Sequence, residues 1–125
     1  MATLKLNVTY YKILQTVFEL NKLGYFPLNE GIYKIVTGKK DDEAMSFVNL
    51  PTYSTLISYT SKKICTLTLM LTRYKYLEKV YDRNTDDLYF KITKLGEDSL
   101  SNYLKKKANN YSKKQIVKKK TIVKM

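Results

Sequence analysis

The stretch TSKKICTLTLMLTR, residues 60–73, decides how the chain reads. Ile64, Leu67, Thr68 and Leu71 recur at helical spacing and share one face, while Lys62, Thr66, Leu69 and Arg73 share the opposite one. Thr60 or Ser61 suits the N-cap, where a hydroxyl oxygen accepts a bond from a free backbone N–H of the first turn. The outer stripe is mostly polar and basic, so a helix packed by its apolar side turns these residues to solvent. Beyond it, Tyr76 to Tyr81 and Leu88 to Thr93 are rich in aromatic and β-branched residues, and Asp82-Arg83-Asn84-Thr85-Asp86-Asp87 between them supplies turn formers. A helix followed directly by a β-hairpin is therefore expected.

Towards the N-terminus, Leu4, Leu6 and Val8 alternate with polar residues and suggest a short half-buried strand. From Thr9 the period changes. Tyr10, Ile13, Val17 and Leu20 fall on one face of a helix, Lys12, Gln15, Glu19 and Lys22 fall opposite, and Gly24 and Pro27 end it. Tyr11 and Phe18 flank this helix; extra core contact is the expected role, packing on the tail or a second subunit the alternative. Asn29 can cap a second helix through about Thr37, with Ile32, Ile35 and Val36 inward and Gly38 at its end. Lys39 to Ser46 then reads as a polar loop, and Leu50-Pro51-Thr52 as the opening of a short helical turn carrying Tyr53, Leu56 and Ile57. Thr93 caps a last helix from Lys94 through about Lys107, expected to bury Leu95, Leu100 and Leu104 or Tyr103.

The order is helix, helix, helix, hairpin, helix. It predicts an α+β fold, a winged helix-turn-helix with a three-helix core, a two-stranded wing and a C-terminal helix over residues 1–107, followed by a Lys-rich tail over 108–125. Ile116-Val117 and Ile122-Val123 punctuate the tail and suit a strand against residues 4–8.

The chain has 125 residues, room for one domain, and a net charge of +12. Residues 1–100 carry 14 basic and 11 acidic groups, whereas residues 101–125 carry nine lysines and no acid. Such a balance attracts polyanions and makes nucleic acid the first partner to consider; a merely solubilising tail is the bland alternative. The lone Cys65 excludes an internal disulfide and reads as a small core residue. With no export signal and no long apolar run, a cytoplasmic protein without membrane contact is expected. The chain has no histidine, which removes the usual general base and the commonest metal ligand. Asp41-Asp42-Glu43 and Asp82, Asp86 and Asp87 read as turn formers rather than metal ligands. Neither enzyme activity nor a cofactor is expected, and most of the 12 tyrosines fall at core or strand positions rather than on a stacking platform.

From Tyr10 to about Leu104 the chain resembles the winged-helix RQC domain of RecQ-type helicases, in a free-standing minor form. The resemblance rests on Leu50-Pro51-Thr52-Tyr53, on Leu71-Thr72-Arg73-Tyr74-Lys75-Tyr76-Leu77 closing the third helix, and above all on Ile92-Thr93-Lys94-Leu95-Gly96. Ser54, Leu56 and Lys75 stand where the family favours glycine. No phosphate-binding Gly-x-x-x-x-Gly-Lys loop is present, so helicase activity is not expected, and the wing tip is acidic where strand-splitting relatives carry an aromatic wedge.

The resemblance implies phosphate contacts at Gly38-Lys39-Lys40 and at Ser58, Thr60, Ser61 and Lys62. Helix N-termini and hydroxyl and ammonium donors suit phosphate independently, with capping the other role open to Thr60 and Ser61. Lys63, Thr66 and Arg73 extend this set along the third helix. Lys105, Lys106 and Lys107, with Lys113, Lys114, Lys118, Lys119 and Lys120, extend it into the tail. The leading expectation is a DNA-binding module. The alternatives are a homodimeric transcriptional repressor of the same fold and an adaptor that binds a protein partner through Tyr11, Phe18 and the tail.

Overall fold

Asn7 begins the first helix: its side chain accepts from the Tyr10 N–H at 3.0 Å, and α1 runs Val8–Lys22. The computed structural model describes residues 4–108. Residues 4–7 do not form the expected strand. Among the described residues no strand lies beside them to form a ladder with their N–H and C=O groups, whereas the Asn7 cap satisfies a helical donor. Leu4 and Leu6 still rest against the core, which explains their alternation with exposed Lys5 and Asn7.

The α1 face is buried as its spacing demands, with Ile13, Val17 and Leu20 joined by Leu14 and Thr16. Thr16 is tolerated inside because its hydroxyl bonds to the Lys12 carbonyl at 2.8 Å and meets the Thr52 hydroxyl. Tyr25 N–H reaches back to the Leu20 carbonyl at 2.9 Å, and the turn that permits this places Gly24 at φ +80°, a conformation that favours glycine.

α2 spans Asn29–Thr37 and ends at left-handed Gly38. Asn29 is not its cap. Leu28 holds that position without a side-chain bond, and the Asn29 amide instead donates to Cys65 Sγ at 3.4 Å. Nor is the next segment all loop: Asp41 accepts from the Ala44 N–H at 2.9 Å and opens the single turn α3, Asp42–Met45. Residues 50–57 form turns, not a helical turn. Leu56 is buried, whereas Ile57 is 70% exposed. Two backbone bonds, Ser54 N–H to Ile35 O and Leu56 N–H to Val36 O, dock this segment onto the end of α2 and orient it.

α4 spans Ser61–Arg73, capped by Thr60, with Ile64, Leu67, Thr68 and Leu71 buried. β1, Leu77–Asp82, pairs antiparallel with β2, Asp87–Ile92, in the register Leu77↔Ile92 to Asp82↔Asp87. The turn is thus two residues shorter than its acidic run suggests, and Asp82 and Asp86 help to close it. Asp82 accepts from the Asn84 N–H at 2.9 Å, and Asp86 accepts from the Tyr81 hydroxyl at 2.6 Å.

α5 starts at residue 94 and continues through residue 108. Thr93 caps it, accepting from the Gly96 N–H at 3.1 Å, while its own hydroxyl and N–H bond to the turn carbonyls of Lys75 and Tyr76. Gly96 presses against the Tyr76 carbonyl and Ile92, where any side chain would collide. That contact sets the rotation of α5, so Leu100 is buried while Leu95, two positions on from the cap, points outward at 47% exposure rather than into the core. Tyr103 and Leu104 are both half-buried, and Tyr11 stacks on Tyr103 with centroids 3.9 Å apart.

One core unites the elements: Ile13, Leu14, Val17, Ile32, Val36, Ile64, Leu71, Leu77 and Leu100 are each at most 1% exposed. Each such aliphatic side chain stabilises the fold by about 1.5–3 kcal/mol relative to exposure. The fold is α+β, with five helices and a two-stranded antiparallel hairpin among the described residues.

Candidate nucleic-acid interface

Burial of Ile64, Leu67 and Leu71 fixes what α4 shows to solvent. Ser61, Lys62, Lys63, Thr66, Leu69 and Arg73 are all exposed. α4 contains no Asp or Glu, and the three ion pairs among the described residues, Lys22 with Glu19 and Lys34 with Glu30 and Asp41, leave its cations out. Thr60 accepts from the Lys63 N–H at 3.1 Å, so capping is its structural role. Ser61 and Lys62 keep the outward N–H groups that open any α-helix, the positive end of its dipole. The Thr66 hydroxyl donates to the Lys62 carbonyl at 3.0 Å.

The loop before α4 is pinned to α1. The hydroxyls of Tyr59 and Thr9 meet at 3.0 Å, and Lys12 Nζ donates to the Thr55 carbonyl at 3.4 Å. Exposed Ser58 lies in this loop. Lys12 thus adds a cation to the approach to α4 that sequence spacing did not single out, because in the sequence it is only one of several polar residues on the outer face of α1.

Lys39 and Lys40 are exposed just past the end of α2. Lys39 Nζ lies 5.5 Å from the Tyr33 ring centroid, and its carbonyl accepts from the Tyr53 hydroxyl at 3.1 Å. Among the described residues no hydrogen bond or ion pair joins either lysine to residues 58–63. Lys105, Lys106 and Lys107 are exposed on the last turns of α5; Lys106 shares a hollow with Leu4, Leu6 and Tyr11, and Lys105 shares one with Phe18. Lys113, Lys114, Lys118, Lys119 and Lys120, and the proposed tail strand, lie outside the described residues.

Other expected roles resolve as follows. Cys65 is half-buried on the flank of α4, not in the core. Tyr11 and Phe18 pack against the core, as expected of them. Among the described residues no group of three His, Cys, Asp or Glu side chains is placed to hold a metal ion, and no helix is long and apolar enough to cross a membrane. Comparisons of the chain with protein-family models, with curated proteins and with solved structures found no match.

Proposed function

We propose that this chain is a non-enzymatic DNA-binding protein of the winged-helix class that lays α4 and the loop before it against a duplex. One observation carries the reading: α4 presents Lys62, Lys63 and Arg73 on a solvent face with no acid on the helix and, among the described residues, no ion pair to quench them. A helix of this kind can lie in or along the major groove, where cations meet phosphates and side chains meet base edges. In this reading the hairpin that follows it directly is the wing. The RQC-like reading gains support from the backbone. Ser54 and Lys75, two of the three positions where that family favours glycine, have φ of +61° and +71°, the region glycine enters most easily. The Thr93-x-x-Gly96 element has a structural reason as well, since the cap and the absent side chain let α5 close on the α4–β1 turn.

The lysines of residues 113–120 add sequence-independent affinity in this reading. The test is equilibrium binding to duplex, forked and single-stranded DNA across a salt series. Neutralising about six phosphates gives a log-log salt slope on the order of −5, and changing Lys113, Lys114, Lys118, Lys119 and Lys120 to Gln flattens it. A chain that binds no duplex even at low salt contradicts the proposal.

A further inference from the structure

The stripe on α4 is not uniformly basic. Between Lys62 and Arg73 it carries Thr66 and Leu69, and Leu69 is 42% exposed. A single exposed leucine is ordinary on a protein surface. Here its neighbour changes the meaning. The Thr66 hydroxyl donates back to the Lys62 carbonyl at 3.0 Å, so its hydrogen is already committed; its oxygen can still accept, and its methyl group is the apolar contact the residue offers. The middle of the face therefore offers two apolar groups, one helical turn apart, with cations at either end.

In the major groove such a face has one natural complement. Bidentate reading of adenine takes a side-chain amide and charge-assisted reading of cytosine a carboxylate, and α4 holds no Asn, Gln, Asp or Glu; the Thr66 oxygen offers either base no more than a single acceptor. Thymine presents a methyl group, which asks only for apolar contact. Thr66 and Leu69 stand about 4.5 Å apart along the helix axis, three residues at about 1.5 Å each. That is close to the spacing of about 3.4 Å between successive bases on a strand. Lys62 and Arg73, about 16 Å apart along the same axis, reach beyond this pair to flanking phosphates or, for Arg73, to a guanine edge.

We propose that α4 selects thymine-containing duplexes through their 5-methyl groups, with the Thr66 methyl and Leu69 packing on methyls of neighbouring base pairs. The proposal rests on the DNA-binding reading above and deepens it by naming the base feature that is read.

The test is fluorescence anisotropy of the full chain with duplexes of equal length: one rich in thymine, the same duplex with deoxyuridine for every thymine, a G·C duplex, and that G·C duplex with 5-methylcytosine. Deoxyuridine keeps charge, pairing and the O4 acceptor and removes only the methyl. The expected result is an affinity about five- to tenfold weaker for the uracil duplex, from two buried methyl groups. The 5-methylcytosine duplex, which restores a methyl in the same groove, should bind more tightly than its unmethylated parent. Leu69→Ala should bring the thymine and uracil duplexes close together, and Thr66→Ser, which keeps the hydroxyl bond, should narrow the gap in part. Both sites are exposed, and circular dichroism verifies that each variant folds as the parent does. Equal affinity of the parent chain for thymine and uracil duplexes overturns the proposal while leaving DNA binding intact. Discrimination that survives both substitutions also overturns it, and binding to no duplex at all overturns the DNA-binding reading itself.

Discussion

Two surfaces of this molecule carry lysines and use them in opposite ways. On the surface formed by α2 and α3, charge is spent locally: Lys34 bonds to Asp41 at 2.8 Å and lies 3.7 Å from Glu30, and the Tyr25 hydroxyl donates to Glu43 at 2.8 Å. Titration reflects this closure. Burial, then the bond to Glu43, pushes Tyr25 up to about 12. The Lys34 ammonium, then the Ala44 N–H, holds Asp41 below the usual carboxylate range. On α4 nothing comparable happens, since Lys62, Lys63 and Arg73 face solvent without an acidic partner among the described residues. A count of basic residues treats Lys34 and Lys62 alike. Pairing separates them, because a cation held by a carboxylate has little field left for a phosphate.

The largest effect should come from reversing the open surface. Lys62→Glu combined with Arg73→Glu should weaken duplex binding by about 30-fold or more, since two contacts are lost and two repulsions gained. Lys34→Gln, which removes a paired cation, should change affinity by less than about twofold. Comparable losses from both variants would erase the distinction.

A smaller effect is expected from the support of α4 rather than its face. Thr60→Ala removes the cap on Lys63 N–H and should cost about 1 kcal/mol. For a domain of this size that lowers Tm by about 4–8 °C, readable by thermal circular dichroism. A Tm unchanged by this substitution would show that the first turn of α4 is held by something other than its cap.

The third effect belongs to the paired surface and depends on pH. The pKa of Asp41 is lower folded than unfolded, so its contribution is present above the unfolded carboxylate value and is lost as pH falls through the folded one. Lys34 is raised, chiefly by the Asp41 bond, so its part is complete below its unfolded value and fades only at strongly alkaline pH. The pair is therefore intact around neutrality and fails in acid. Thermal melts below about pH 4 should show a steeper loss for the parent chain than for Asp41→Asn. Parallel acid limbs would remove Asp41 from the account.

What was legible in the sequence follows the reach of each physical cause. α4 and its outward stripe depend on helical period and stand as read, and of the two hydroxyls open to the cap, Thr60 and Ser61, Thr60 takes it. Gly38 and the Thr93 cap were equally local. The failures involve partners distant in sequence. Asn29 looks like a cap, but its amide reaches Cys65, 36 residues on. Leu95 fits the apolar period of α5, yet the approach of Gly96 to the Tyr76 carbonyl rotates it outward. Lys12 joins the approach to α4 only because the fold lays Thr55 beside α1.

Residue-resolved mapping of the bound protein tests the central claim most directly. Backbone amide shifts are followed by NMR while a short duplex is titrated into the chain at low salt. The account predicts the largest changes over residues 58–73, centred on Lys62, Thr66, Leu69 and Arg73, with Glu30, Lys34 and residues 41–45 little affected. Changes concentrated on the hairpin tip or on α2 and α3, with α4 unmoved at saturating duplex, would contradict it.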